Sequence, residues 1–288
     1  MLNWKQMLKG MLMGTVETVP GVSSSTIAML MGIYEKLIES IGQLTSKRWK
    51  EGVAYLIPIG IGMVGGFLVS VLLISYLLEN FQQFTHFLFM GLVIGILPSL
   101  WNTSRQKENG TYKWTHFIAM AIAFAVVAAT RFFDDKGTAI MTDLSVLDYV
   151  FLFFSGWLAS TALVLPGISG ALVLTILGVY YTAISAISSL DIPIILTLGA
   201  GIVVGVLITS KLIRFLMSTY TMLMYALMIG LIAGSNVVLY PGLQGGILNG
   251  FICLIAVAAG FIIAYYGGRI SRQSNTKSED SSSIAKVS

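Results

Sequence analysis

The chain has 288 residues, of which 56% are hydrophobic and 10% charged, with a net charge of +4. A soluble domain carries roughly 25% charged residues, so lipid is the solvent for most of this chain. The basic residues lie in short clusters between apolar runs and not as a patch or stripe, which argues against nucleic-acid binding. The single cysteine, Cys253, excludes an intrachain disulfide and reads as a small packing residue.

The first stretch, Met1 to Gly10, lacks the basic start, apolar core and small-residue cleavage site of a signal peptide. Residues 7–40 are apolar but interrupted at Pro20-Gly21. Proline cannot donate the helical hydrogen bond, and glycine permits the turn. The piece from Met7 to Val19 would make a helix of about 20 Å, too short for a hydrocarbon core of about 30 Å. A half-helix, a tip near mid-membrane and a returning half-helix fit better. Apolar runs long enough to cross follow at 55–78, 84–100 and 114–133. An acidic loop carries Asp134, Asp135, Asp143 and Asp148. Residues 149–188 form a second interrupted stretch, broken at Pro166-Gly167, and further spans are expected at 193–210, 222–239 and 247–267.

Lys and Arg mark the cytoplasmic side of a membrane protein. If both interrupted stretches are re-entrant, Lys5, Lys9, Lys47, Arg48, Lys50, Arg105, Lys107, Lys113, Lys211, Arg214, Arg269, Arg272 and Lys277 all fall on one side. Both termini are then cytoplasmic. One full crossing by either stretch would invert every later loop and break the rule.

The two interrupted stretches match each other. A shift of 146 residues carries Pro20 onto Pro166, Gly21 onto Gly167, Ser23 onto Ser169, Gly32 onto Gly178 and Tyr34 onto Tyr180. It also carries Gly10 onto Gly156, Leu12 onto Leu158 and Thr15 onto Thr161. A shift of 139 then carries Gly60, Gly62, Gly66, Gly91 and Gly95 onto Gly199, Gly201, Gly205, Gly230 and Gly234. The expected architecture is an all-α polytopic membrane protein with an inverted internal repeat. Each unit is a re-entrant Pro-Gly hairpin plus three transmembrane helices. Repeat 1 covers 1–133, an extracellular loop 134–148, repeat 2 149–268, and a disordered cytoplasmic tail 269–288. Such repeats with broken helices characterise secondary transporters, whose site lies at the midplane where the repeats meet.

Non-helical backbone inside a membrane must be buried in protein or line a wet cavity, so the two tips should face each other or a pore. One tip is Pro20, Gly21, Val22, Ser23, Ser24, Ser25, Thr26; the other is Pro166, Gly167, Ile168, Ser169, Gly170. Each opens a new half-helix, whose N-terminus offers unpaired N–H groups. Ser23 and Ser169 stand where they would cap those helices, and serine hydroxyls add donors. The combination suits an anion such as phosphate. Glu17 precedes the first tip, while its counterpart is Leu163. A carboxylate at mid-membrane costs about 2.5–3.5 kcal/mol or more and would repel phosphate. Protonation removes both problems, which marks Glu17 as the carrier of a coupled proton. A carboxylic acid hydrogen-bonded across the hairpins is the structural alternative.

The other ionisable groups point elsewhere. Glu35, Lys36 and Glu39 fall at the cytoplasmic mouth, and Arg131 and Arg214 fall near span ends, where long basic side chains snorkel. His86 and His116 form no metal-ligand spacing, and no cofactor or metal is expected. The glycine ladders and the methionines Met7, Met11, Met13, Met29 and Met31 read as packing surface.

The stretches E-T-V-P-G-V-S-S-S-T at 17–26 and L-P-G-I-S-G-A at 165–171, each followed by G-[IV]-Y at 32–34 and 178–180, resemble the PopT family of polyprenyl-phosphate transporters. The likeness extends over about residues 4 to 268. It implies return of undecaprenyl phosphate from the outer to the inner leaflet of the bacterial cytoplasmic membrane. Inward movement of a phosphate against an inside-negative potential adds the expectation of a coupled proton or other cation. Three rivals remain on the residues alone. A transporter for a small soluble anion would need a closed, water-accessible site. An undecaprenyl-pyrophosphate phosphatase would carry an arginine where Ser24 stands, with an adjacent Glu-Glu pair before it; the missing arginine removes the natural clamp for a diphosphate. A purely structural scaffold would not explain duplicated mid-membrane breaks with matching serines.

Overall fold

A computed structural model describes residues 3–17, 23–108, 111–133, 140–142 and 144–287. Pro20, Gly21 and Val22, and the loop residues Asp134, Asp135 and Asp143, lie outside the described residues. The chain is helical: α1 Trp4–Val16, α2 Ser24–Leu30, α3 Tyr34–Gln43, α4 Trp49–Asn80, α5 Gln82–Glu108 and α6 Trp114–Thr130, then α7 Val146–Val164, α8 Gly170–Ile176, α9 Tyr180–Ser189, α10 Ile192–Thr219, α11 Thr221–Leu239 and α12 Ile247–Val287. Among the described residues, six of these (α4, α5, α7, α10, α11 and α12) are long and apolar enough to cross a membrane.

The expected span at 114–133 divides into α6 and a 3₁₀ turn, Arg131–Phe133. Helix and turn together rise about 32 Å, still enough to cross a hydrocarbon core. The first limb of the second interrupted stretch is longer than the expected half-helix, because α7 starts at Val146. The cause is local. Asp148 Oδ2 accepts from the Ser145 backbone N–H at 2.8 Å and from the Ser145 hydroxyl at 2.7 Å. This capping box starts the helix early. At the C-terminus, where composition predicts disorder over 269–288, the backbone continues as α12 to Val287. Extending a helix already formed adds a hydrogen bond per residue without a new nucleus.

The two sequence-matched stretches also match in element length. Helices α2 and α8 have 7 residues each, and α3 and α9 have 10 each. The motif G-[IV]-Y marks the break between them. Gly32 takes φ of 65° and Gly178 φ of 72°, in the left-handed region that glycine tolerates best. Ile33 N–H then donates to Ala28 O at 2.9 Å, and Val179 N–H to Leu174 O at 2.8 Å. These bonds close a Schellman turn on each short helix. Both branched residues are buried, and the tyrosine is the first residue of the next helix. The α8–α9 break bends the path by 107°.

Close helix pairs hold the bundle together: α1 with α4, α7 with α10, α5 with α12 and α6 with α11. Glycines make the approach possible. A Cβ on Gly62 would overlap the Met7 carbonyl oxygen, and one on Gly66 that of Met11. On the matching pair, a Cβ on Gly201 would overlap the Phe153 carbonyl oxygen. Backbones this close gain dispersion contact along their length, which drives helix association where lipid is as apolar as leucine. Helix α11 lies at the centre, with Tyr225, Met228 and Ile232 in the main core. Val64 and Leu68 of α4, Val203 of α10 and Leu254 of α12 face outward as an apolar surface, as bilayer contact requires.

Candidate functional site

Helix α7 ends just before Pro166, leaving its last carbonyls without intrahelical donors. In a low-dielectric interior each such group needs a partner. Helices α2 and α3 supply them. Tyr34 Oη donates to Val164 O at 3.0 Å, and Ser25 Oγ donates to Leu165 O at 3.2 Å. In the other direction, Gly167 N–H donates to Thr26 Oγ1 at 3.0 Å. Gly167 takes φ of 91°, and a Cβ there would lie 2.6 Å from the Leu231 carbonyl carbon of α11. The described parts of the two predicted tips therefore meet directly, against the central helix.

The serines of the first tip are all buried. Ser25 has one hydroxyl proton, directed at Leu165 O. In the 2.7 Å contact between Ser23 Oγ and Ser25 Oγ, Ser23 is therefore the donor. Contrary to the sequence expectation, neither Ser23 nor Ser169 caps the helix that follows it. At the first tip Ser23 is engaged with Ser25, and the α2 terminus has another partner, because Ser24 N–H donates to Glu17 Oε1 at 3.1 Å. At the second tip the Ser169 hydroxyl makes no hydrogen bond among the described residues. The Glu17 carboxylate thus reaches across the Pro-Gly break and binds the backbone on its far side. Gly170 stands in sequence where Ser24 does, and Leu163 where Glu17 does, so the carboxyl contact to the backbone has no equivalent at the second tip.

A cavity of about 290 Å³ adjoins the first tip. Ser24, Ser25 and Tyr34 supply its polar wall, and α4, α7 and α10 its apolar walls.

The remaining predicted polar groups lie away from the tips. Glu35 pairs with Lys107 of α5 and accepts from Tyr225 Oη of α11 at 2.8 Å, so a residue expected at the interface ties three helices together. Arg131 donates to the carbonyls of Val237 and Tyr240, and its guanidinium carbon lies 5.7 Å from the Tyr240 ring centre. It caps the C-terminal end of α11, where the helix dipole favours a cation. Arg214 is exposed beside Gly42 of α3. Tyr34 is the site residue that motif reasoning misses: its G-[IV]-Y placement repeats, but the partner of its hydroxyl lies 130 residues away.

The fold and site together define a polytopic helical membrane protein with two broken-helix segments joined tip to tip. A family model described as undecaprenyl phosphate translocase-like matches residues 13–246. Two relatives are named polyprenyl-phosphate transporter. One, from Staphylococcus aureus, is 37% identical over 276 residues, covering 94% of this chain and 98% of its own. The other, from Vibrio cholerae serotype O1, is 32% identical over 248 residues, covering 81% and 76%. No solved structure matches. The chain belongs to the undecaprenyl phosphate translocase-like family.

Proposed function

We propose that this protein moves a polyprenyl phosphate, undecaprenyl phosphate in the first instance, from the outer to the inner leaflet of a bacterial cytoplasmic membrane. The observation that carries the reading is the family match over residues 13–246, which takes in both tips and helices α2 to α11. The tip geometry agrees with it: hydroxyls and backbone N–H groups are gathered inside an apolar bundle, where a phosphate would otherwise find no partner. The substrate headgroup binds between the tips, at Pro20, Gly21, Ser23, Ser24, Ser25 and Thr26 on one side and Pro166, Gly167, Ser169 and Gly170 on the other. Because α2 and α8 are only 7 residues long, hydroxyls and individual amides carry this recognition more than a helix dipole does.

The architecture is an inverted repeat of a re-entrant hairpin plus three spans, with both termini cytoplasmic. Support comes from the equal lengths of α2 and α8 and of α3 and α9, and from the Schellman turns at Gly32 and Gly178. The pairing of α1 with α4 is repeated by α7 with α10, and that of α5 with α12 by α11 with α6. Moving a phosphate inward against an inside-negative potential costs about 2.3 kcal/mol per charge per 100 mV. A co-moving proton offsets that, and Glu17 carries it. Its carboxylate holds Ser24 N–H before substrate enters and releases it to the phosphate on protonation. Transport rather than hydrolysis is supported by the names of the relatives and by Ser24 standing in place of a diphosphate-clamping arginine.

The test is translocation of labelled undecaprenyl phosphate in sealed vesicles containing the purified protein, read by protection of the headgroup from an external phosphatase. Protein-dependent protection supports the reading. Headgroup movement no faster than in protein-free vesicles, under any imposed gradient, overturns it.

A further inference from the structure

The cavity beside the first tip has a polar end and an apolar body. Its polar end holds the Ser24 hydroxyl; Ser24 is 4% exposed, and this hydroxyl makes no hydrogen bond among the described residues. Ser24 and Ser25 thus bring hydroxyls to the end of an otherwise apolar wall, and a polar headgroup inside such a bundle needs partners of this kind. The body runs between Ile38 of α3, Ile59 and Met63 of α4 and Val206 of α10. It reaches the outer surface at Gly60 and Leu163, both exposed. Nothing lies within 4 Å of a Cβ built on Gly60, so the opening there is unobstructed.

We infer that this cavity holds the isoprene units next to the phosphate of a polyprenyl phosphate, with the rest of the chain leaving sideways into lipid past Gly60 and Leu163. The inference rests on the transport reading above and adds the path of the tail. The polarity gradient has the order such a ligand requires: a hydroxyl at the inner end, aliphatic walls beyond it, and bilayer at the mouth. The volume of about 290 Å³ is at the lower end for ligand pockets. It accepts a short stretch of the chain and leaves the remainder in lipid. The polar end differs from the matching place in the second stretch, where Gly170 stands for Ser24.

Two variants and a crosslink test it. Gly60→Phe places a ring in the mouth. Gly199→Phe places the same ring at the repeat-related glycine, which also has open space around it but does not line this cavity. In the vesicle assay, Gly60→Phe should slow translocation at least tenfold, while Gly199→Phe stays within twofold of wild type. A polyprenyl phosphate bearing a diazirine on its second isoprene should label the α3 and α4 wall. A phospholipid with the diazirine at similar depth should label it less and be displaced by unlabelled polyprenyl phosphate. Wild-type rates in Gly60→Phe, adducts confined to other helices, or equal labelling by the phospholipid without displacement would each overturn the inference while wild-type transport leaves the function standing. A wild-type protein that moves no polyprenyl phosphate would remove both.

Discussion

Gly167 N–H and the Thr26 hydroxyl are 3.0 Å apart, although 141 residues separate them in sequence. The bond joins the second tip to the helix that leaves the first, and both residues are buried. Thr26→Val keeps the shape of the side chain and removes the acceptor. Interhelical hydrogen bonds in membrane proteins contribute about 0.6 kcal/mol on average and up to about 1.7 kcal/mol; a buried amide left unpaired adds to that loss. Thr26→Val should therefore lower the melting temperature in detergent, and Thr26→Ser should restore most of it. Equal stability of all three proteins would show that the tips do not depend on this bond.

Tyr34 and Val164 give a second connection that can be tested separately. Tyr34→Phe retains the buried ring but leaves Val164 O without its donor. The expected cost is about 1 kcal/mol. Because Ser25 satisfies the neighbouring Leu165 O, Tyr34→Phe and Ser25→Ala should be non-additive in a double-mutant cycle of unfolding free energies. Strict additivity would mean that the two bonds act independently.

The glycine contacts predict opposite results two residues apart on α4. At Gly62 any side chain meets the Met7 backbone, so Gly62→Val must force α1 from α4. At Gly60 a Cβ meets nothing within 4 Å. Gly62→Val should lose most folded protein from the membrane fraction in a size-exclusion assay, and Gly60→Ala should match wild type. Gly201→Val, which meets Phe153 O on the matching helix pair, should behave as Gly62→Val does.

Glu17 separates a structural role from a transport role. In Glu17→Gln the amide oxygen can still accept from Ser24 N–H, so folding should be kept, while the titratable proton is gone. Wild-type translocation should accelerate when the side from which substrate is taken is made acidic, and Glu17→Gln should lose that response. Glu17→Leu should in addition lower the melting temperature, because Ser24 N–H loses its partner. A full pH-gradient response in Glu17→Gln would place the coupled proton elsewhere.

Much of this arrangement is legible in the residues. Proline and glycine at 166–167 locate a helix break, because one lacks a donor and the other tolerates φ of 91°. The matching spacing of Gly62 and Gly66 with Gly201 and Gly205 marks helix contacts, since small residues four apart lie on one face. The length of α7 is hidden because its start depends on the capping box at Ser145, whereas apolar periodicity places the start by hydrophobicity alone. The bonds of Tyr34, Ser25 and Thr26 are hidden for another reason: each side-chain partner lies 130 or more residues away and is set by packing. Capping by Ser23 is a sound local expectation, but Glu17 and Ser25 offer competing partners that only the folded chain brings near. Arg131 and Glu35 carry no local sign that one closes the end of α11 and the other joins α3 to α5 and α11.

If polyprenyl phosphate passes inward between the paired tips, loss of this protein should strand it on the cell surface. The decisive measurement is of undecaprenyl phosphate exposed on intact cells, with redundant translocases removed and this protein depleted. A headgroup-binding probe gives the surface pool. The pool should rise on depletion, and wild-type protein should restore it. A Ser23→Ala/Ser169→Ala protein present at wild-type level in the membrane should not. An unchanged surface pool on depletion would rule out inward passage through this protein.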